Sequence, residues 1–206
     1  MTITRPGKIV CVGRNYRDHA KEMGNDVPKE PLIFLKPSSS MIATGEAIVL
    51  PSQSTQVEHE GEIGVVIGKT LRRASSAEAR QGVSKIIAAN DVTARDLQRS
   101  DSQWTRAKGF DTFCPLGEPG DPPADLDNLT VVTRVNGVER QRGKGSDMVF
   151  SIPDVLAYVS HIMTLEPGDL VLTGSPAGVG KLSPGDEVEV EVLGVSRVRN
   201  PVTAEA

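Results

Sequence analysis

The chain is poor in cysteine, with Cys11 and Cys114 more than one hundred positions apart. Neither cysteine belongs to a CxxC motif or lies near a histidine pair. A disulfide framework and a cysteine-based zinc site are therefore excluded, and both residues are predicted to be reduced, buried thiols.

Long apolar runs and basic runs are also missing. The longest apolar stretches, such as residues 86–89, fall far short of the roughly 20 residues that a membrane helix needs. Lys and Arg total 23 against 27 Asp and Glu, and aromatic residues make up only 3%. A membrane span and a nucleic-acid partner are not expected. The first residues contain no secretory apolar segment, so the predicted location is the cytoplasm.

What is present fits one strand-rich domain over residues 1–206. A chain of this length can bury roughly 70% of its unfolded surface. Val and Ile are frequent, while 20 Gly and 14 Pro supply turns. Strands are predicted at residues 8–12, 32–35, 48–50, 60–67, 85–89, 129–135, 170–173 and 187–192. Short helices are predicted at residues 15–23, from 75 onward, at 93–100 and at 151–163. Asn136-Gly137 predicts a tight hairpin turn.

Two glutamates on one predicted strand are candidate metal ligands. Glu60 and Glu62 are two residues apart, so their side chains lie on the same face. A solvated acidic sheet edge is the alternative. Asp91 favours the metal site over this alternative, because it ends a buried apolar strand and its side chain would reach the rim of the sheet. Three carboxylates without a Cys or His cluster favour Mg²⁺ or Mn²⁺.

The segment after Asp91 supplies candidate substrate-binding residues. A helical turn would place Arg95 and Gln98 on the same face as Asp91, next to the ion. Arg95 would then grip a substrate carboxylate with two hydrogen bonds, although a surface pair between Asp91 and Arg95 is the alternative. Ser175 lies in a glycine-rich loop after a predicted strand, where its hydroxyl would face a ligand.

Three further residues are candidate catalytic groups. His19 and Glu22 are three residues apart on a predicted helix, so the carboxylate can orient the imidazole as a general base. Lys108 is flanked by small and apolar residues and could steady a developing oxyanion. The alternatives are a surface helix pair and a solvent-exposed lysine.

These residues occur in an order that resembles the fumarylacetoacetate hydrolase family, and the match spans nearly the whole chain. It is similar to the short branch of acylpyruvases and oxaloacetate decarboxylases. The segments that carry the resemblance are Gly13-Arg14-Asn15-Tyr16, Phe34-Leu35-Lys36-Pro37, Glu60-x-Glu62, Asp91-Val92-Thr93-Ala94-Arg95-Asp96 and Thr173-Gly174-Ser175-Pro176, together with His19, Glu22 and Lys108. Two departures are Ser175, where Thr is more usual, and Gly61, where a bulkier apolar residue is common.

The resemblance implies an α+β, strand-rich fold, a mixed β-sheet roll with a few short helices, assembled as a homodimer. It also implies Mg²⁺ or Mn²⁺ on Glu60, Glu62 and Asp91, a lid segment carrying His19 and Glu22, and a pocket lined by Lys108, Gln98, Arg95 and Ser175.

The leading functional prediction is a hydrolase that cleaves a carbon–carbon bond in a 2,4-dioxo acid of the acylpyruvate or fumarylpyruvate type. The ion would bind the 2-oxo acid end and hold the leaving enolate, while His19 and Glu22 activate water. Oxaloacetate decarboxylation or keto–enol isomerisation at the same site remains open. From another class, a non-catalytic metal-binding or ligand-binding β-domain remains the alternative. For the enzyme readings the expected partner is a small anionic keto acid.

Overall fold

The computed structural model describes residues 5–22 and 28–205, apart from the side chains of residues 19–21. Strands dominate these residues. They are β1 Ile9–Gly13, β2 Leu32–Lys36, β3 Met41–Ile42, β4 Ile48–Leu50, β5 Val57–His59, β6 Gly61–Ile67, β7 Val83–Asn90, β8 Thr93–Ala94, β9 Cys114–Pro115, β10 Thr130–Val135, β11 Val138–Lys144, β12 Leu170–Leu172, β13 Gly180–Lys181, β14 Glu187–Val192 and β15 Ser196–Ala204. The α-helices are α1 Arg17–Glu22, α2 Ser76–Arg80, α3 Arg95–Ser100, α4 Thr105–Lys108 and α5 Ile152–Ile162.

The first of two five-stranded sheets carries the segments that were predicted to bear chemistry. Its strand order is β2-β1-β12-β6-β7. The β1–β12 pair is parallel and the other three pairs are antiparallel, so the sheet is mixed.

Both faces of the inner strands β1, β12 and β6 are buried, which explains their nearly continuous apolar sequences. On one face, Ile63 and Val65 of β6 join the main core with Val131 and Val190 of the second sheet. On the other face, Ile87 of β7 joins a smaller apolar cluster that also contains both cysteines. The alternation of side chains along β6 therefore places Glu62 on the face opposite Ile63 and Val65.

The second sheet has the order β11-β10-β14-β15-β4. Its pairs are antiparallel except for β15 with β4. The β10–β11 turn has φ values of +52° at Asn136 and +76° at Gly137. Two successive positive φ values are typical of the tight hairpin turn predicted from the sequence, which is confirmed.

Two helices, α2 and α5, begin where the sequence signals predict. The Ser75 hydroxyl accepts a hydrogen bond from the amide of Glu78 at 3.4 Å, and the Glu78 carboxylate accepts one from the Ser75 amide. Ser151 caps α5, whose first turn contains Pro153. Among the described residues, no helix has the length and apolar character required to cross a membrane.

The structure confirms the strand-rich fold and changes some local boundaries. Residues 93–94 form β8 rather than helix, because they pair with β5. Helix α1 begins at Arg17 rather than Asn15, whose buried side chain bonds to the Phe150 and Thr173 backbones instead. The predicted glycine cap at residue 24 lies outside the described residues. Strands β5 and β15 were not predicted.

Candidate active site

Three carboxylates meet at one end of the first sheet. Glu60 precedes β6, Glu62 lies on it, and Asp91 follows β7. Because β6 and β7 are antiparallel and Gly61 pairs with Asn90, the start of one strand lies beside the end of the other. The three side chains are buried, and one oxygen of each lies within 4.8 Å of the others.

Three cations surround this carboxylate cluster. Lys108 Nζ donates to Glu60 Oε2 at 2.8 Å and to Asp91 Oδ2 at 2.6 Å. Lys36 Nζ donates to Asp91 Oδ1 at 2.7 Å. Arg95 Nη2 donates to Glu60 Oε1 at 2.5 Å. All three cations are at most 2% exposed. Burying a charge is costly, and the ion pairs with these carboxylates offset that cost.

Burial and mutual repulsion set the electrostatics of the cluster. Burial, followed by the charges of Asp91 and Glu60, raises the pKa of Glu62 well above its ordinary value. Burial alone would lower the pKa of Lys108, but Asp91 and Glu60 raise it to about 12. Lys108 therefore stays protonated across the physiological range and acts as a hydrogen-bond donor.

The donor set fits a hard divalent cation. The converging atoms are carboxylate oxygens, which Mg²⁺ and Mn²⁺ prefer. A carboxylate offers about four lone-pair positions, so Glu60 and Asp91 can hold their cationic partners and still bind an ion. A divalent charge among the three acids would also relieve the repulsion that raises the pKa of Glu62.

The cluster forms the floor of a pocket of about 240 Å³. One wall is aromatic: the Phe34 and Trp104 rings meet edge to face at 5.3 Å, and Lys108 Nζ lies 5.0 Å from the centre of the Phe34 ring. The pocket is also lined by residues of β1, α3 and the loop after β12: Val12, Gly13, Arg14, Arg95, Gln98, Arg99 and Ser175.

Arg95 and Gln98 both line the pocket, but Arg95 does not form a surface pair with Asp91. Its Nε donates to Glu58 at 2.8 Å and its Nη1 to Gln98 Oε1 at 2.6 Å, in addition to its bond with Glu60. The side chain is 2% exposed. Glu58 is thus a partner of Arg95 that the sequence analysis did not single out.

The glycine-rich loop after β12 closes the pocket beside Glu62. Gly174 has φ +102°, and its amide donates to Glu62 Oε2 at 2.7 Å. A β-carbon at this position would lie 2.7 Å from Asn15 Cβ, so the close approach requires glycine. Ser175 is buried and lines the pocket, and its role in substrate binding stays a prediction.

The His19–Glu22 pair lies on α1, as predicted, but the His19 side chain is outside the described residues. Both Glu22 carboxylate oxygens lie 3.1 Å from the Gly178 amide, which donates to them. This contact joins α1 to the loop that carries Ser175. The orientation of His19 towards the pocket stays a prediction.

Besides Glu58, two buried residues of this region were missed as members of the site. Lys36, which binds Asp91, ends the apolar strand β2, and a lysine at the end of such a strand was an available signal. Gln141 of β11 contacts Ser175 from the second sheet, and the local sequence gives no sign of that contact.

The comparison with known proteins agrees with this geometry. The profile of the fumarylacetoacetate (FAA) hydrolase C-terminal family matches residues 8–203. The chain belongs to this family. The resemblance predicted from the sequence motifs is thereby confirmed.

Named relatives give a narrower comparison. The mitochondrial oxaloacetate decarboxylase of Dictyostelium discoideum is 44% identical over 195 residues, 91% of this chain and 89% of that protein. The mitochondrial oxaloacetate tautomerase of Arabidopsis thaliana is 44% identical over 198 residues, 93% of this chain and 89% of that protein. Fumarylpyruvate hydrolase from Pseudomonas aeruginosa, solved with Mn²⁺ and pyruvate, is 29% identical with a TM-score of 0.91, covering 97% of this chain and 91% of its own. These relatives and the family membership indicate an enzyme.

Proposed function

We propose that this protein is a Mg²⁺- or Mn²⁺-dependent enzyme that interconverts the keto and enol forms of a small dicarboxylic 2-oxo acid of the oxaloacetate type. The observation that carries the proposal is the combination of three carboxylates and several cations in one small pocket. The relatives named oxaloacetate tautomerase and oxaloacetate decarboxylase, each 44% identical, support the choice of substrate.

The charge of the pocket favours a dianion. Its lining has four formal positive charges and three negative ones, so a bound divalent ion would bring the formal total to three positive charges. The cations are Arg14, Arg95, Arg99 and Lys108, and the acids are Glu60, Glu62 and Asp91. A dicarboxylate therefore fits better than an acylpyruvate with a long apolar tail.

Glu60, Glu62 and Asp91 would hold the ion, which when bound acts as a Lewis acid that polarises a carbonyl. Lys108 keeps its proton, because its pKa is about 12, and offers an N–H to the oxygen that gains negative charge on enolisation. Arg95 and Gln98, already bonded to each other, orient a carboxylate of the substrate.

Proton transfer at carbon is assigned to His19, supported by Glu22. An imidazole has an ordinary pKa of about 6.5, which suits removal of a proton from the carbon next to the keto group. The oxygen that gains the negative charge is hydrogen-bonded by Lys108 and takes its proton from solvent to give the enol. Ketonisation reverses both transfers: the enol O–H returns its proton to solvent, and the imidazolium returns one to carbon. The Glu22–Gly178 contact supports this assignment, since it fastens α1 to the loop that closes the pocket. Keto–enol interconversion by this route requires no attacking water.

Hydrolysis of a 2,4-dioxo acid is the second candidate. The similarity to fumarylpyruvate hydrolase favours it, and so does the His19–Glu22 pair, which could activate water instead of deprotonating carbon. Decarboxylation of oxaloacetate would use the same residues, and the Dictyostelium relative supports that variant.

Three parallel assays with Mg²⁺ or Mn²⁺ test the proposal. We expect the protein to accelerate the decay of enol-oxaloacetate absorbance more than it accelerates pyruvate release from oxaloacetate or cleavage of an acylpyruvate. Glu62→Gln should abolish activity, while Glu30→Gln at an exposed position should leave it unchanged. Faster cleavage of fumarylpyruvate than tautomerisation would establish the hydrolase instead. Full activity of Glu62→Gln would refute both.

A further inference from the structure

A buried polar relay connects the active-site pocket with the second sheet. It consists of Ser175, Gln141 and His59, each at most 3% exposed. Ser175 lines the carboxylate pocket, whereas His59 lines a separate cavity beyond the 176–180 loop. The relay therefore crosses the wall between the two cavities.

The Gln141 amide has only one orientation consistent with its neighbours. Its Nε2 lies 2.7 Å from the Pro176 carbonyl oxygen, which can only accept. Its Oε1 lies 3.0 Å from the Gly61 amide, which can only donate. The amide nitrogen must therefore face Pro176 and the amide oxygen must face Gly61.

This orientation determines the proton positions at both ends of the relay. His59 Nδ1 lies 3.0 Å from Gln141 Oε1 and must carry the proton, because that oxygen cannot donate. At the other end, Gln141 Nε2 donates to Ser175 Oγ at 2.6 Å. Since an amide nitrogen does not accept, the Ser175 hydroxyl hydrogen has to point elsewhere.

Within the described part of the chain, that hydrogen has one weak acceptor. Ser175 Oγ donates to the Pro176 carbonyl oxygen at 3.3 Å, which is longer than the usual O–H···O range, and this oxygen also accepts from Gln141. A ligand oxygen in the pocket at an ordinary hydrogen-bond distance would make the stronger bond, so Ser175 is available to donate to it.

Backbone geometry fixes Gln141 in place. The β10–β11 register shifts between Thr133 and Arg134, opposite residues 139–141, and such a bulge re-aims the neighbouring side chains. The loop lies directly on this bulge, because a β-carbon on Gly178 would be 2.0 Å from the Arg140 carbonyl oxygen.

We propose that Gln141, held by His59, is a positioning residue that fixes the Ser175 hydroxyl as a hydrogen-bond donor to an oxygen of the 2-oxo acid. The inference rests on the proposed function for the class of substrate. It extends the site to a residue of the second sheet, which touches the substrate only through Ser175.

A double-mutant cycle tests the relay with oxalate, a non-reactive mimic of the 2-oxo acid end, in the presence of Mn²⁺. Calorimetry should show that Ser175→Ala raises the oxalate Kd about tenfold or more, as expected for a hydrogen bond to a charged group. Gln141→Met should raise it severalfold. Adding Gln141→Met to Ser175→Ala should produce no further increase, because Gln141 acts through that hydroxyl. Independent, additive losses would overturn the proposal, and so would failure of the wild type to bind oxalate.

Two replacements of His59 distinguish a role in positioning Gln141 from a role in folding. His59→Asn keeps an N–H near the position of Nδ1 and should leave oxalate affinity within about twofold, whereas His59→Leu should weaken it as Gln141→Met does. Equal effects of the two replacements would contradict the role of His59. Gln81→Met, at an exposed glutamine, is the matched control, and thermal melts verify folding of each variant.

Kinetics distinguish failure of the relay from failure of the proposed reaction. With oxaloacetate, Gln141→Met should raise KM while changing kcat little, because the contact is already made in the ground state. If the wild type binds oxalate but does not turn over oxaloacetate, only the proposed reaction fails. If it turns over oxaloacetate and the cycle is additive, only the relay fails.

Discussion

The absence of a side chain at Gly61 allows the carboxylates on either side of it to converge. Gly61 lies between Glu60 and Glu62, and a β-carbon there would be 1.9 Å from Thr133 Oγ1 of the second sheet. The departure from the family pattern noted in the sequence therefore has a steric reason. Thr133 occupies the space that a larger residue at position 61 would need.

A pair of substitutions should expose this dependence. Gly61→Ala should destabilise the protein by about 1–3 kcal/mol through overpacking and weaken Mn²⁺ binding, because Glu60 and Glu62 are displaced. Thr133→Ala in the same chain should restore most of both losses, since it removes the atom in closest conflict. Denaturant unfolding and Mn²⁺ titration of the single and double variants measure this. Additive damage in the double variant would contradict the steric explanation.

Lys36 is a second residue on which the cluster depends. Lys36→Met should destabilise the protein by about 3–5 kcal/mol, because it leaves the Asp91 carboxylate buried with one cation fewer. Urea unfolding of metal-free protein gives the value, with Lys29→Met at an exposed position as the control. A loss no larger than that of the control would show that Lys36 is dispensable to Asp91.

Among the elements, α3 has the clearest electrostatic anchor. Partial burial raises the pKa of Asp96, but bonds from Ser54, Thr55 and Leu97 outweigh this and lower it to about 2. Because these bonds favour the charged form, they stabilise the folded state above the unfolded pKa of about 3.9. This stabilisation is lost as the pH falls from about 4 through 2.

Asp96→Asn should therefore reduce stability at pH 7 and flatten its acid dependence. The measurement is the free energy of unfolding of the two proteins from pH 7 to pH 2, with the difference between them expected to narrow below pH 4. A constant difference over that range would assign the effect of the substitution to packing rather than to charge.

Local sequence patterns predicted the helices and strands better than they predicted the contacts between them. Two-residue spacing placed Glu60 and Glu62 on one face, and the apolar run before Asp91 placed that residue at a strand end. Lys36, at the end of an apolar strand, carried a local signal, but its bond to Asp91 and the contact of Gln141 with Ser175 depend on pairings between segments distant in the chain. Neither local composition nor local periodicity gives information about such pairings. For the same reason residues 93–94 were assigned to helix, since their pairing with β5 is a tertiary contact.

On the scale of the whole molecule, metal binding should be linked to stability. Mn²⁺ at 100 times its Kd should stabilise the folded state by about 2.7 kcal/mol, because a site assembled from β6 and β7 exists only after folding. Thermal melts with and without Mn²⁺, and after chelation, test this. The Glu62→Gln variant should lose the rise in melting temperature that Mn²⁺ causes. An equal rise in that variant would show that the ion binds elsewhere.

The position of β15 between β14 and β4 has a consequence for synthesis on the ribosome. The second sheet cannot close until residues near 204 have left the exit tunnel, although residues 60–91 emerge much earlier. During that interval the apolar face of β6, including Ile63 and Val65, lacks the sheet that covers it. The nascent chain therefore exposes an aggregation-prone surface until the second sheet forms. We expect the yield of folded protein in cells to depend on chaperones that bind this surface.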